Sequence, residues 1–135
     1  MRRRVVIDTN VYVSRALRAV STGGMAVDKA WLEDETILSL ATWTELQLVL
    51  RRPKFRSYIL PGTLETYLDR VRLIATFVAL AEPIRACRDP KDDKFLEVAV
   101  HGRAELILTG DTDLLVLHPF RGIAILTPAD YLARA

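Results

Sequence analysis

Four acidic residues stand where apolar runs end or helices begin. Asp8 follows Val5-Val6-Ile7, Glu45 follows Thr42-Trp43-Thr44, Asp93 closes Asp89-Pro90-Lys91-Asp92-Asp93, and Asp111 follows Leu106-Ile107-Leu108-Thr109-Gly110. Carboxylates gathered together repel one another and raise each other's pKa unless a cation neutralises them. The single cysteine, Cys87, and two distant histidines, His101 and His118, offer no zinc-type cluster, so an oxygen-only set would select Mg2+ or Mn2+. Such ions activate water and clamp the oxygens of a phosphodiester, which makes phosphoryl-ester hydrolysis the implied chemistry.

The elements must then bring these acids together. Val5–Ile7, Ile37–Leu40, Phe77–Ala81, Leu106–Thr109 and Ile123–Leu126 read as strands, the third weakly. Helices are expected over Arg15–Val20, Met25–Leu32, Thr42 to Pro53 (opened by a capping box), a longer one after Pro61-Gly62, Asp89 to His101, Asp111–Leu117 and Pro128–Ala133. Strands alternating with helices, each strand almost wholly apolar, argue for a parallel sheet covered on both faces, a three-layer α/β/α domain. In such sheets the carboxyl ends of strands and the first turns of following helices share one edge, where ligands bind. That edge collects Asp8, Glu45, Asp93 and Asp111 across about a hundred residues of chain.

Each acid also has a plainer explanation. The helix dipole favours acids in a first turn by about 0.3–1 kcal/mol, which is enough to account for Glu45 or Asp92 singly. Asp8 resists this explanation, because an aspartate ending a buried strand needs a partner or a cation. Residues 92 and 93 are adjacent, and either could be the third acid. Asp92 already has a capping role, whereas Asp93 stands one residue beyond the usual capping position.

Together, VVIDTNVYVS at 5–14, TWTELQLVLRRPKF at 42–55, DPKDDKFLEVAV at 89–100 and LILTGDTDLL at 106–115 resemble the PIN-domain nucleases. Within that family they are similar to the VapC-type toxins of toxin-antitoxin systems. The resemblance implies a three-layer α/β/α PIN-like domain over residues 1–135, with a parallel sheet of four or five strands. It implies a Mg2+- or Mn2+-dependent endonuclease of single-stranded RNA, a cognate antitoxin and frequent homodimers. By it Asp8, Glu45, Asp93 and Asp111 are the catalytic and metal-holding acids, Asp113 assists as a ligand, and Asn10 and Thr109 orient them. A haloacid-dehalogenase-type phosphatase would need an acid where Asn10 stands. An RNA-processing nuclease without an antitoxin, and a catalytically silent binding module of the same fold, are the remaining alternatives.

Substrate contacts are sought among the cations. Arg51, Arg52, Lys54 and Arg56 surround Pro53 and Phe55, a basic stretch with an aromatic that suits phosphates and a stacked base, against the plainer reading of a solvated helix end. Lys94 beside Asp93 is the better candidate for a phosphate contact. The net charge of +2 does not itself announce a nucleic-acid partner. No apolar run approaches the roughly 18 residues of a membrane span, and Met1 to Asp8 reads as a strand rather than a signal peptide. With a lone cysteine these features fit a cytoplasmic protein.

Overall fold

The computed structural model describes residues 2–134. Its strands are β1 (Arg4–Ile7), β2 (Glu35–Leu38), β3 (Thr76–Phe77), β4 (Leu106–Leu108) and β5 (Ala124–Leu126), all parallel, in the order β3-β2-β1-β4-β5. The helices are α1 (Thr9–Leu17), α2 (Thr22–Glu33), α3 (Leu40–Leu50), α4 (Pro61–Ile74), α5 (Asp93–His101), α6 (Thr112–Leu115) and α7 (Pro128–Ala133). Side chains alternate across the strands. Val5, Ile7, Leu38, Leu106 and Leu108 face a core with α1, α2, α3, α4 and Tyr131 of α7, whereas Val6, Ile37 and Ile107 face α5 and Leu114 of α6. The three-layer α/β/α architecture is therefore present, with five strands.

Several boundaries differ from expectation. Ser39 caps α3, its hydroxyl accepting from the Thr42 amide while the Thr42 hydroxyl accepts from the Ser39 amide. The capping box thus starts three residues before the expected one, and Glu45 lies in the second turn rather than the first. Gly23 and Gly24, which precede the expected helix start at Met25, sit inside the first turn of α2 under a Ser21 cap. The third strand is only Thr76–Phe77, and its last tie to β2 is the Val78 amide donating to the Leu38 carbonyl at 2.8 Å.

The far edge of the sheet is closed by Asp34, which is buried. It accepts from Arg3 at 3.2 and 3.3 Å and from the Tyr131 hydroxyl. Gly102, just after α5, permits another close approach: a Cβ there would lie 2.4 Å from Ile37 Cδ1 and 2.8 Å from the Val98 carbonyl oxygen. Gly102→Ala should therefore cost about 1–3 kcal/mol by overpacking. Urea unfolding reads this directly, and an unchanged midpoint would mean the second layer is looser than this packing.

Candidate active site

Asp8 continues the β1–β4 ladder, its amide donating to the Leu108 carbonyl at 2.9 Å, and its own carbonyl then receives the first amides of α1. Its carboxylate is thereby set at the carboxyl edge, 5% exposed. Thr109, fully buried, donates its hydroxyl to Asp8 Oδ2 at 2.7 Å and accepts the Asp111 amide at 2.9 Å. One hydroxyl thus orients two acids. Asp111 caps α6 by accepting the Asp113 amide at 2.9 Å.

Asp92 ends a 3-10 turn, Pro90–Asp92, which Asp89 caps through the Lys91 amide at 3.0 Å. That cap leaves the Asp92 carboxylate free to meet Asp111 and Asp113, each of the three offering an oxygen within 4.8 Å of the others. Glu45 approaches from α3, held by the Thr9 hydroxyl on one oxygen and by Lys94 Nζ on the other at 2.8 Å. Oxygen-only donors of this kind, converging at one edge, fit a hard divalent cation.

The electrostatics agree. Burial, reinforced by the charges of Glu45 and Asp111 and opposed by Thr109 and the Asn10 amide, pushes the Asp8 carboxyl up to about 6. Burial, a shared hydrogen bond with Asp111, and the charges of Asp111, Asp8 and Asp89 push Asp92 up to about 7. Two acids that hold protons near neutrality are what a cluster short of positive charge does.

The expected third acid, Asp93, is not brought to this cluster. Its buried carboxylate turns to the segment before the 3-10 turn and accepts the amides of Ala86 at 3.1 Å and Cys87 at 2.8 Å. Burial works to raise its pKa, but those amides and the Arg85 charge outweigh it and hold Asp93 below the usual carboxylate value. It is one of three rungs on the same face of α5. Glu97 Oε2 accepts the Ile84 amide at 3.2 Å, and His101 Nε2 accepts the Glu82 amide at 3.1 Å. Residues 82–87 thus form a strap along the helix. The spacing of Asp93, Glu97 and His101 at i, i+4 and i+8 was the sequence signal for this face.

The other expected residues fall into two groups. Lys94 and Thr109 join the cluster, and Asn10 sits exposed on the first turn of α1 beside it. Arg51, Arg52 and Lys54 are exposed beyond the last turn of α3, away from the acids. Arg51 pairs with Glu65, and Lys54 lies 5.0 Å above the Phe55 ring. Thr9 is the residue sequence reasoning missed, since its hydroxyl holds Glu45.

These shifts carry a sign. Asp8 and Asp92 bind protons more tightly folded than unfolded, so the native state holds extra protons between about pH 4 and 7, and stability must fall as pH rises through that window. Metal-free protein should melt lower at pH 8 than at pH 5, and Mn2+ should narrow the gap. Asp92→Asn should remove part of the pH dependence and blunt the Mn2+ response. Asp93→Ala should instead cost about 1–3 kcal/mol by orphaning amides. Thermal melts of the three proteins test this, and an unchanged Mn2+ response in Asp92→Asn would contradict the placement.

Comparison with known proteins agrees with the fold. Residues 4–113 match the family model described as PIN domain. The uncharacterized protein MJ1680 of Methanocaldococcus jannaschii is 30% identical over 118 residues, covering 84% of this chain and 74% of its own length. VapBC2 from Rickettsia felis, solved bound to a DNA fragment from its promoter, superposes with a TM-score of 0.58 at 10% identity, covering 92% of this chain and 98% of that one. PAE2754 from Pyrobaculum aerophilum does so with a TM-score of 0.61 at 14% identity, over 97% and 90%. With the family match running from β1 through the acids of α6, the chain belongs to the PIN domain family, whose members are generally nucleases.

Proposed function

We propose that the protein is a divalent-metal-dependent endoribonuclease that cleaves single-stranded RNA, acting as the toxin of a toxin-antitoxin pair. The observation that carries the reading is the convergence of Asp8, Asp92, Asp111 and Asp113, with Glu45 alongside, as oxygen-only donors at the carboxyl edge of the sheet. Asp92 takes the place in this proposal that the resemblance gave to Asp93, since it is the Asp92 carboxylate that lies against Asp111.

Asp8, Asp92, Asp111 and Asp113 are the residues that would hold Mg2+ or Mn2+. Such an ion supplies Lewis acidity to phosphoryl oxygens and lowers the pKa of water for in-line attack. The remaining work falls to the chain. Thr109 holds Asp8 and Asp111 in register, so the ligands are oriented before a cation arrives. Thr9 and Lys94 fix both oxygens of Glu45. A proton held on Asp92 must leave when a cation enters, which couples metal affinity to pH. The toxin assignment is supported by the VapC-like motifs and the likeness of the fold to VapBC2, and it names an antitoxin as partner.

Purified protein should cleave single-stranded RNA in Mn2+ or Mg2+ and stop on addition of EDTA. At subsaturating Mn2+ the rate should rise between about pH 6 and 7, as Asp8 and Asp92 lose their protons. Asp8→Asn should abolish cleavage while leaving the metal-free protein at least as stable at pH 8, because it removes a buried charge that nothing cationic offsets. Gel assays and melts measure both. Cleavage that survives chelation would overturn the metal mechanism.

A further inference from the structure

Beside the acids runs a groove of about 290 Å3 that the residues above do not use. It borders the cluster directly, since Asn10 lies two residues from Asp8 and Gly110 stands between Thr109 and Asp111. Its lining contains no Asp, Glu, Lys, Arg or His among the described residues. Val11, Pro128 and Ala129 give it apolar surface, while Asn10, Thr22 and Thr127 give it polar edges. The exposed Asn10 side chain makes no hydrogen bond to another of the described residues, which leaves an amide with both donors and acceptors facing solvent.

Two glycines shape this space differently. Gly23 brings the start of α2 so close to α1 that a Cβ on it would lie 2.7 Å from Ser14 Cβ, which fixes one wall. Gly110 does the reverse. A Cβ there would meet nothing within 4 Å, so the absent side chain leaves open room at the mouth of the groove, next to Asp111.

The volume falls just under the range of about 300–1,000 Å3 usual for drug-sized ligands, which suits something smaller and uncharged. In a nucleic-acid strand the phosphates are drawn to cations, and the nucleosides are the only uncharged parts. A nucleoside flanking the reacting phosphate has to lie within one covalent link of the acid rim, where this neutral groove opens. We propose that the groove is a nucleoside subsite, in which the apolar floor takes the face of the base and the Asn10 amide meets its hydrogen-bonding edge. This deepens the nuclease reading and rests on it for the identity of the strand.

The test uses the whole 15N-labelled protein without metal, titrated with adenosine, cytidine and uridine as free nucleosides. Amide signals of Asn10, Thr22, Gly110 and Thr127 should shift and saturate, and the shifts should vanish in Gly110→Leu, which adds a bulky side chain to the groove's lining. Gly110→Ala, which meets open space, serves as the folded control and should weaken binding less. In Mn2+, Gly110→Leu should lower kcat/KM on single-stranded RNA by about tenfold, the order of losing one base contact, with the Mn2+ melting shift unchanged. Absence of nucleoside shifts at the groove, or shifts confined to another face, would overturn the subsite even if RNA is cleaved. Shifts at the groove in a protein that leaves RNA intact would keep a nucleoside site and overturn the nuclease.

Discussion

Like charges held close together are the condition that the rest of the active edge answers to. Five carboxylates approach one another there, and among the described residues Lys94 is the one cation bonded to any of them. The other contacts are made by neutral hydroxyls and amides: Thr109 on Asp8, Thr9 on Glu45, and the Asp113 amide on Asp111. Neutral donors orient a carboxylate without cancelling its charge. The fold therefore supplies direction and leaves the charge to be balanced from outside, by protons at low pH or by a cation. Burial of Asp8 makes that balance matter, because water cannot screen a charge it does not reach.

The scaffold was legible because its signals are periodic. Apolar strand runs, alternating with helices, specify which faces are buried, and the parallel arrangement then specifies which edge gathers strand ends. Asp8 and Asp111 follow from this rule, since each directly follows a strand or its turn. The boundaries that moved were those set by competing caps. Ser39 and Thr42 form a reciprocal pair, and nothing in the spacing of Thr42 and Glu45 shows that the earlier pair prevails. The choice between Asp92 and Asp93 failed to show in the sequence for a sharper reason. It is decided by which carboxylate finds backbone amides, and those amides belong to an irregular segment whose path no periodicity encodes. Arg51 is a similar case, because Glu65 on α4 becomes its neighbour only once the two helices pack.

The family match ends at Asp113, yet the remaining chain is built into the same sheet. β5 pairs with β4, and the α7 residue Tyr131 is buried with its hydroxyl on Asp34, where Arg3 also bonds. Lys29 of α2 reaches the Tyr131 and Arg134 carbonyls at 2.9 and 2.7 Å. These contacts fasten the edge of the sheet opposite the acids. The two ends of β1 therefore have separate duties, one polar network securing architecture and the other presenting chemistry, which agrees with fold likeness persisting at 10–14% identity.

The strap along α5 follows a rule of its own. Its bonds to the helix run through main-chain amides at 82, 84, 86 and 87, whereas positions 83 and 85 are skipped. Every residue except proline has such an amide, so these bonds read backbone alone, while Ile84 adds a buried side chain to the core and Arg85 a charge that acts on Asp93. The proline in this stretch, Pro83, stands at a skipped position. The exposed positions 82 and 86 can therefore change their side chains while Asp92, a few residues downstream, keeps its place, provided that proline keeps to the beat the helix leaves unused.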